Sequence, residues 1–424
     1  MGDLSIVIED ESNMINLWDF AGNPAGFLAD EEGPTVRGDF LWNTYQIKDL
    51  VYYDYRYPSG YTKYKADGDR FDKWASVGFR NEDDFALGVE GNHLSQETDS
   101  KYWGNELESP KVSLIFTKSL DPATTFGANL SYLEEDFEYW AGTSPSKEKW
   151  ETTDFRAKLG LKRKFTPSVI LGGLLGYDSF KGDEKAHLSD SYTFWLSGQT
   201  VVEIKHKLKL GIETGLAFQR ADFYLVFFGG SSYDGDKKEH YYFSFLRLRG
   251  TYDVSPKLRL GLFYFDRELI GAFYPPGYIL SPLPGYEVYV RHWGVGGSYK
   301  FNKRILAGAE YHFRDSSQPS SGFVYNWGLK NESLNLGIEG RVSESLVLRG
   351  GFIRTETNQN PNFDKRRDSW ENKLTSGFGY QLRGSSLILE LSYSYALHKF
   401  KQYYGSSDLE LNGHAFSLSF KNVF

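Results

Sequence analysis

An antiparallel β-barrel that crosses a membrane is the fold class this sequence predicts, all-β and up-and-down, with about 18 strands in a range of roughly 14 to 18. Three observations carry that reading. Apolar residues recur at every second position through most of the chain from Lys73 onward, which is the period of a strand with one greasy face. The chain is 17% aromatic but holds no run of about 20 apolar residues, so transmembrane helices are excluded and the membrane signal is left to alternating strands. The connections between strands alternate short and long, as they do when one rim of a barrel carries tight turns and the other carries loops.

The first stretch, 1–35, has no sustained alternation. Asn13 to Phe20 is expected as a short helix that Gly22-Asn23-Pro24 ends or turns. The segment reads either as an arm outside the barrel or as a small plug in its mouth, with Trp18, Phe20, Asn23, Pro24 and Phe27 as gate candidates. The barrel then takes 36–424. No apolar leader follows Met1, so an exported chain is expected to be numbered from after a removed leader.

Between 36 and 72 a strand is expected at 48–58, where Val51, Tyr53, Tyr55 and Tyr57 alternate with Tyr52, Asp54 and Arg56, and a further strand fits 36–45. The pattern becomes regular at Ala75, Val77 and Phe79, then at Phe85, Leu87 and Val89 across the turn at Asn81-Glu82-Asp83. Similar alternations follow at Phe126 to Tyr132, Val169 to Tyr177, Leu208 to Phe218, Leu258 to Tyr264, Ile305 to Phe313 and Leu346 to Phe352. The cleanest runs from Leu387 to Leu397, opposed by Ile388, Glu390, Ser392, Ser394, Ala396 and His398. Long polar loops are expected near 94–108, 140–150, 180–189, 224–238, 269–284, 314–330, 357–367 and 399–408. Seventeen strands count from Lys73, and one before it makes eighteen. Soluble alternatives fit worse: a propeller should repeat a motif of about 40 residues, and soluble strands are shorter than these segments.

The last stretch, LNGHAFSLSFKNVF, places Phe416, Leu418, Phe420 and Phe424 on one parity and Gly413, Ala415, Ser417, Ser419 and Lys421 on the other. A barrel must keep its last strand paired, because an open sheet edge is intolerable in lipid. These four apolar residues are therefore expected on the greasy face of the closing strand.

On the opposite, polar parity sit Lys209, Glu213, Arg259, Glu310, Arg349 and Glu390, the lumen-lining candidates; Arg291 is placed with them although it shares parity with Trp293. Outward charges would cost about 2–4 kcal/mol each at mid-membrane. A barrel of this size is too wide for its own side chains to fill. Its interior is then water, inserted loops or a plug. Within 269–284, the least polar long loop, Phe273, Tyr274 and Tyr278 want cover and Pro275, Pro276, Pro282 and Pro284 stiffen the chain. That loop is expected either over the lumen or against a neighbouring loop or partner.

Chemistry-bearing motifs are weak. Asp67-Gly68-Asp69 and Asp234-Gly235-Asp236 lack EF-hand spacing and read as solvated turns. The eight histidines show no metal spacing, and there is no cysteine. Ser417 and His414 are three apart, so a strand points them to opposite faces. Gly294-Val295-Gly296-Gly297 lies within a strand rather than before a helix. No catalytic residue, metal or cofactor is expected, and a net charge of -8 argues against nucleic acid.

With Phe416, Leu418, Phe420 and the terminal Phe424, the whole chain resembles bacterial outer-membrane β-barrels; Asn422 departs from the pattern, which favours an aromatic or apolar residue there. That resemblance implies that Phe416, Leu418, Phe420 and Phe424 are the barrel-assembly signal, and it implies short periplasmic turns, longer extracellular loops, outer-membrane lipid and lipopolysaccharide around the barrel, and the barrel-assembly machinery as partner. Asn23-Pro24-Ala25-Gly26 is similar to the Asn-Pro-Ala segment of the FadL-type long-chain fatty-acid transporters, where it follows an N-terminal hatch. That likeness implies a hatch ending at Leu17 to Leu28, although the family's barrel has fewer strands than counted here. Three functions follow as expectations: an outer-membrane channel or transporter passing small solutes through the lumen, a plugged transporter of hydrophobic compounds, or a structural barrel anchoring a surface or secretion complex through a protein partner at one rim.

Overall fold

The computed structural model describes residues 33–53, 61–80, 85–100, 103–141, 147–182, 190–205, 207–223, 237–273, 289–319, 326–360, 367–382, 385–400 and 409–423. The first nine strands are β1 (Gly33–Tyr53), β2 (Tyr61–Arg80), β3 (Phe85–Ser100), β4 (Trp103–Asp121), β5 (Thr124–Ala141), β6 (Lys147–Thr166), β7 (Val169–Lys181), β8 (Asp190–Ile204) and β9 (Leu208–Phe223). The rest are β10 (Lys237–Asp253), β11 (Leu258–Phe273), β12 (Tyr289–Lys300), β13 (Ile305–Pro319), β14 (Asn326–Arg341), β15 (Leu346–Asn360), β16 (Arg367–Gln381), β17 (Ile388–Phe400) and β18 (Leu409–Val423). Each pairs antiparallel with its sequence neighbours, and β1 pairs with β18, which closes an 18-stranded ring. The predicted fold class and strand number are those of the structure.

The two faces of the ring differ in the sense that curvature requires. Side chains on a convex face splay apart and stay exposed, whereas those on a concave face crowd and cover one another. The exposed face is apolar: Val112 is 57% exposed, Leu196 61% and Leu374 58%. The covered face is polar: Thr117 is 0% exposed, Glu310 1% and Ser197 3%. An apolar belt turned outward all round the ring is intelligible only if hydrocarbon covers it.

The belt has a measurable top edge. On β14, Ile338, Leu336 and Leu334 face outward and Glu332 follows; on β12 the outward series Val295, Trp293 ends at Arg291; on β11 Leu262 and Tyr264 end at Asp266. From the turns to these charges is about nine residues, which at ~3.3 Å each and a tilt of ~40° rise roughly 23 Å, close to the ~25 Å apolar band of an outer-membrane barrel. Aromatic rings mark the upper edge, including Tyr177 with Phe194 (4.8 Å between centroids) and Trp293 with Phe313 (5.6 Å). Tyr299 and Phe301 mark the lower edge. Above the belt the outer face is ionic: Tyr264 donates to Asp266 (2.8 Å), Arg291 lies 3.6 Å from Asp266, and Tyr311 donates to Glu332 (2.9 Å). Arg291 therefore belongs to the outer face, and its shared parity with Trp293 decides against the lumen expected for it.

Several strand ends also differ from the sequence reading. Residues 48–53 of the strand expected at 48–58 belong to β1, a 21-residue strand that begins at Gly33 and takes in 36–45 as well, and 54–58 lie outside the described residues. Of the polar stretch 94–108, expected as a loop, 94–100 and 103–108 are the upper parts of β3 and β4, and β11 runs on to Phe273. These strands continue past the belt. Outside lipid the two-residue contrast between faces disappears while the backbone ladder persists: the upper ends of β3 and β4 are polar on both parities, and the end of β11, Leu269-Ile270-Gly271-Ala272-Phe273, is apolar on both.

One rim is closed by side-chain oxygens. Asp121 Oδ1 accepts from Ala123 N–H (2.8 Å), Ser255 Oγ from Leu258 N–H (3.1 Å), Asn302 Oδ1 from Arg304 and Ile305 N–H (2.7 and 2.9 Å), and Ser385 Oγ from Leu387 N–H (2.9 Å). Asp, Asn and Ser suit such turns because their short side chains replace a backbone acceptor. Lys205, at φ 51°, supplies the left-handed residue in the turn between β8 and β9.

The seam between β1 and β18 is packed from outside. Phe416 faces Trp42, Leu418 faces Phe40, and Phe420 faces Gly38. Phe71, Trp42, Phe416 and Tyr393 form one run of ring contacts across β2, β1, β18 and β17, at 5.8, 5.8 and 5.0 Å. Phe420 lies flat over Gly38, where a Cβ would stand 2.5 Å from the ring. Phe424 lies outside the described residues. Gly38→Ala should cost about 1–3 kcal/mol of unfolding free energy by overpacking, but little once Phe420→Ala has removed the ring. Urea titration of the refolded protein in lipid vesicles measures this cycle, and strictly additive losses would refute the contact.

Candidate functional site

The inner face of the ring is the candidate site, since it gathers polar groups from all the strands. Alternation fixes its membership. On β9, Leu210, Ile212 and Leu216 are exposed outward, so Lys209 and Glu213 point inward. The same parity turns Arg259 on β11, Glu310 on β13, Arg349 on β15 and Glu390 on β17 to the inner face.

These residues form separate networks rather than one centre. Glu213, almost wholly buried, accepts from Gln199 Nε2 (3.1 Å) and from Arg247 Nη1 (2.8 Å). Arg259 holds Asp253 by two bonds, at 2.7 and 3.2 Å. Glu310 meets His312 at 3.2 Å, the His312 ring lies 5.5 Å from that of His292, and Phe263 meets His292 edge-on at 5.1 Å. Arg349 bridges Glu339 (3.0 Å) and Glu390 (2.6 Å) across β14, β15 and β17. A fourth arginine, Arg156, binds Asp154 (2.8 Å) and Asp178 (3.1 Å), and Lys158 lies 6.0 Å over the Trp195 ring, which itself packs against Gly176.

Such pairs are usual where charge is partly removed from water: the carboxylates are met by guanidinium N–H donors, and Glu310 by the His312 ring. Among the described residues no group of three or more His, Asp or Glu could hold a metal ion. Ser417 and His414 do lie on opposite faces: Ser417 meets Ser392 (2.6 Å) inside, and His414 accepts or donates to the Tyr393 hydroxyl (2.9 Å) outside.

The gate candidates Trp18, Phe20, Asn23, Pro24, Phe27, Tyr274 and Tyr278 lie outside the described residues, and Phe273 is the last residue of β11, paired with His240. Sequence reasoning missed Arg247, Arg267, Phe243, Phe245, Phe263 and Phe265, all inward on β10 and β11. Their signal was present: both parities of these strands carry large side chains, so the polar face betrays itself by arginine, not by small residues.

Arg349→Met should destabilise the barrel by about 1–2 kcal/mol, because Glu339 and Glu390 would keep their charge without a partner in a half-buried setting. Adding Glu339→Gln and Glu390→Gln should restore most of that loss in the same urea titration. If the triple variant is no more stable than Arg349→Met alone, the bridge is not what holds these strands.

No protein-family model matches the chain, and no curated protein matches it. Solved structures do. The Pseudomonas putida toluene transporter TodX is 12% identical, with 100% of this chain and 96% of that chain covered at a TM-score of 0.43. A Pseudomonas aeruginosa FadL homologue is 14% identical over 100% and 96%, also at 0.43. The ferric-catecholate import receptor Fiu of E. coli K12 is 9% identical over 93% and 82%, at 0.50. At such identities the likeness is one of fold.

Proposed function

We propose that the protein is an outer-membrane channel or transporter that passes small solutes through the lumen of its barrel. One observation carries the reading: the closed 18-stranded ring turns a polar, charged face inward and an apolar belt outward. Eight strands give an interior that side chains can just fill, and the bore grows roughly in proportion to strand number. A ring of this size encloses space that its own short inner residues, such as Ser113, Thr117, Ser197, Ser298 and Ser316, leave to solvent or solute. The belt takes outer-membrane lipid and lipopolysaccharide, and the outward Phe416, Leu418 and Phe420 offer the closing strand to the barrel-assembly machinery.

A second reading, a plugged transporter of hydrophobic compounds of the FadL type, is favoured by the inward phenylalanines of β10 and β11. The two readings part in planar bilayers. An open lumen gives discrete, stable current steps in molar KCl. A folded barrel that stays silent, and that carries lipid or detergent through purification, overturns the diffusion channel in favour of the plugged transporter. Removal of residues 1–32 tests the plug directly: a rise in conductance assigns that segment to the lumen, and an unchanged conductance assigns it to an arm outside.

A further inference from the structure

Two aromatic rings lie flat on the inner wall, each over a glycine. Trp195 on β8 points inward, and a Cβ at Gly176 on β7 would strike three atoms of its indole. Phe245 on β10 covers Gly215 on β9 in the same way. A ring held so close to the backbone turns one face to the wall and the other to the bore, and both side chains are only half-buried. The register sets the two glycines two strands and two residues apart, which is roughly 12 Å along the wall.

The ionic groups beside each ring are already matched. Next to Trp195, Arg156 holds Asp154 (2.8 Å) and Asp178 (3.1 Å), and Lys158 stands 6.0 Å from the indole centre. Two carboxylates and two cations cancel there, and Glu135 and Lys111, which also act on Arg156 and Lys158, cancel in turn. Beside Phe245, Arg247 is paired with Glu213 (2.8 Å). Pairing does not withdraw these groups from the bore: the Arg156 side chain is 45% exposed, Asp178 32% and Arg247 33%.

We propose that this wall binds neutral saccharides, with one pyranose ring on Trp195 and a further one on Phe245. A platform without net charge gives an ion no advantage. Exposed ion pairs are hydrated, and a ligand that replaces that water must both donate and accept hydrogen bonds. Sugar hydroxyls do both. A pyranose also carries a flat face of C–H groups, weakly positive against the negative face of an indole or phenyl ring. A hydrocarbon would strip water from the ion pairs and return no hydrogen bond. An open-chain polyol supplies the hydroxyls without the flat face. The inference rests on the channel reading, because a sugar must enter the lumen to reach this wall.

The test is isothermal titration of the full chain in lauryldimethylamine oxide, a detergent without a sugar headgroup, with maltotriose, methyl α-glucoside, sorbitol and phenol as probes. Maltotriose should bind about tenfold more tightly than sorbitol or phenol, and Trp195→Ala should weaken it about tenfold, the scale of one stacked ring. Trp195→Phe keeps a ring and should fall between wild type and Trp195→Ala. Phe245→Leu should weaken maltotriose and leave methyl α-glucoside unchanged. Each variant is compared only after its heat-dependent gel shift shows a folded barrel. Sorbitol or phenol binding as tightly as maltotriose, or a folded Trp195→Ala barrel that binds maltotriose as wild type does, would overturn the proposal. Trp195-dependent binding in a barrel that carries no current defeats the channel reading and leaves this site; current with no binding of maltotriose defeats the site and leaves the channel.

Discussion

Everything in this molecule follows from the need to pair each backbone N–H and C=O where no water can reach them. Hydrocarbon makes an unpaired strand edge prohibitively costly, and eighteen strands meet that demand only by returning to the first. The β1–β18 ladder, from Thr35↔Val423 to Lys48↔Glu410, is thus the contact on which all the others depend. It joins residues almost 390 positions apart in the chain, so its loop-closure entropy is the largest of any pair in the ring. The exterior packing at this seam suits its burden. Gly38 lets the Phe420 ring lie against the backbone, and the four-ring run from Phe71 to Tyr393 spans both sides of the join. Aromatic cover over a strand glycine is a known way of pinning register. The same device recurs inside the ring where Trp195 covers Gly176 and Phe245 covers Gly215.

The fold was legible in the sequence wherever lipid imposes a contrast between faces. Leu387 to Leu397 and Leu208 to Phe218 show it cleanly, and the charges of opposite parity, Glu213 and Glu390 among them, fall on the inner face. Legibility ends with the belt. Above Glu332 and Arg354 the two faces no longer differ in polarity, so hydrogen-bonded strand and solvated loop look alike; that is why 94–108 reads as a loop. β1 was obscured for a related reason. Its upper residues, Leu50 to Tyr53, are apolar on both parities, and its lower part is paired with β18, far away in the chain.

The partners within the site were not legible, for a different reason. Arg349 reaches Glu339 ten residues before it and Glu390 forty-one after it. Both separations are fixed by the register of neighbouring hairpins, which depends on turn lengths and not on any local pattern. The aromatic wall was hidden because β10 and β11 place large side chains on both faces. Tyr264 is outward and Phe263 and Phe265 inward, and in the sequence only the arginines of the inward parity tell them apart.

The ion-paired and the ring-covered parts of the inner face bear differently on stability. An ion pair half removed from water returns little free energy beyond what its desolvation costs, so the Glu339–Arg349–Glu390 bridge is chiefly a device for keeping three strands' charges compatible. Apolar rings of the same volume would hold those strands at least as well. The Arg247–Phe265 and Arg267–Phe243 contacts invert that balance. Here each guanidinium covers a ring that would otherwise meet the polar interior, and Arg247 at the same time holds Glu213 on β9. A wall arranged this way ties positive charge, aromatic surface and a buried carboxylate together across three strands, so the register of β9, β10 and β11 is fixed from inside by more than one kind of contact.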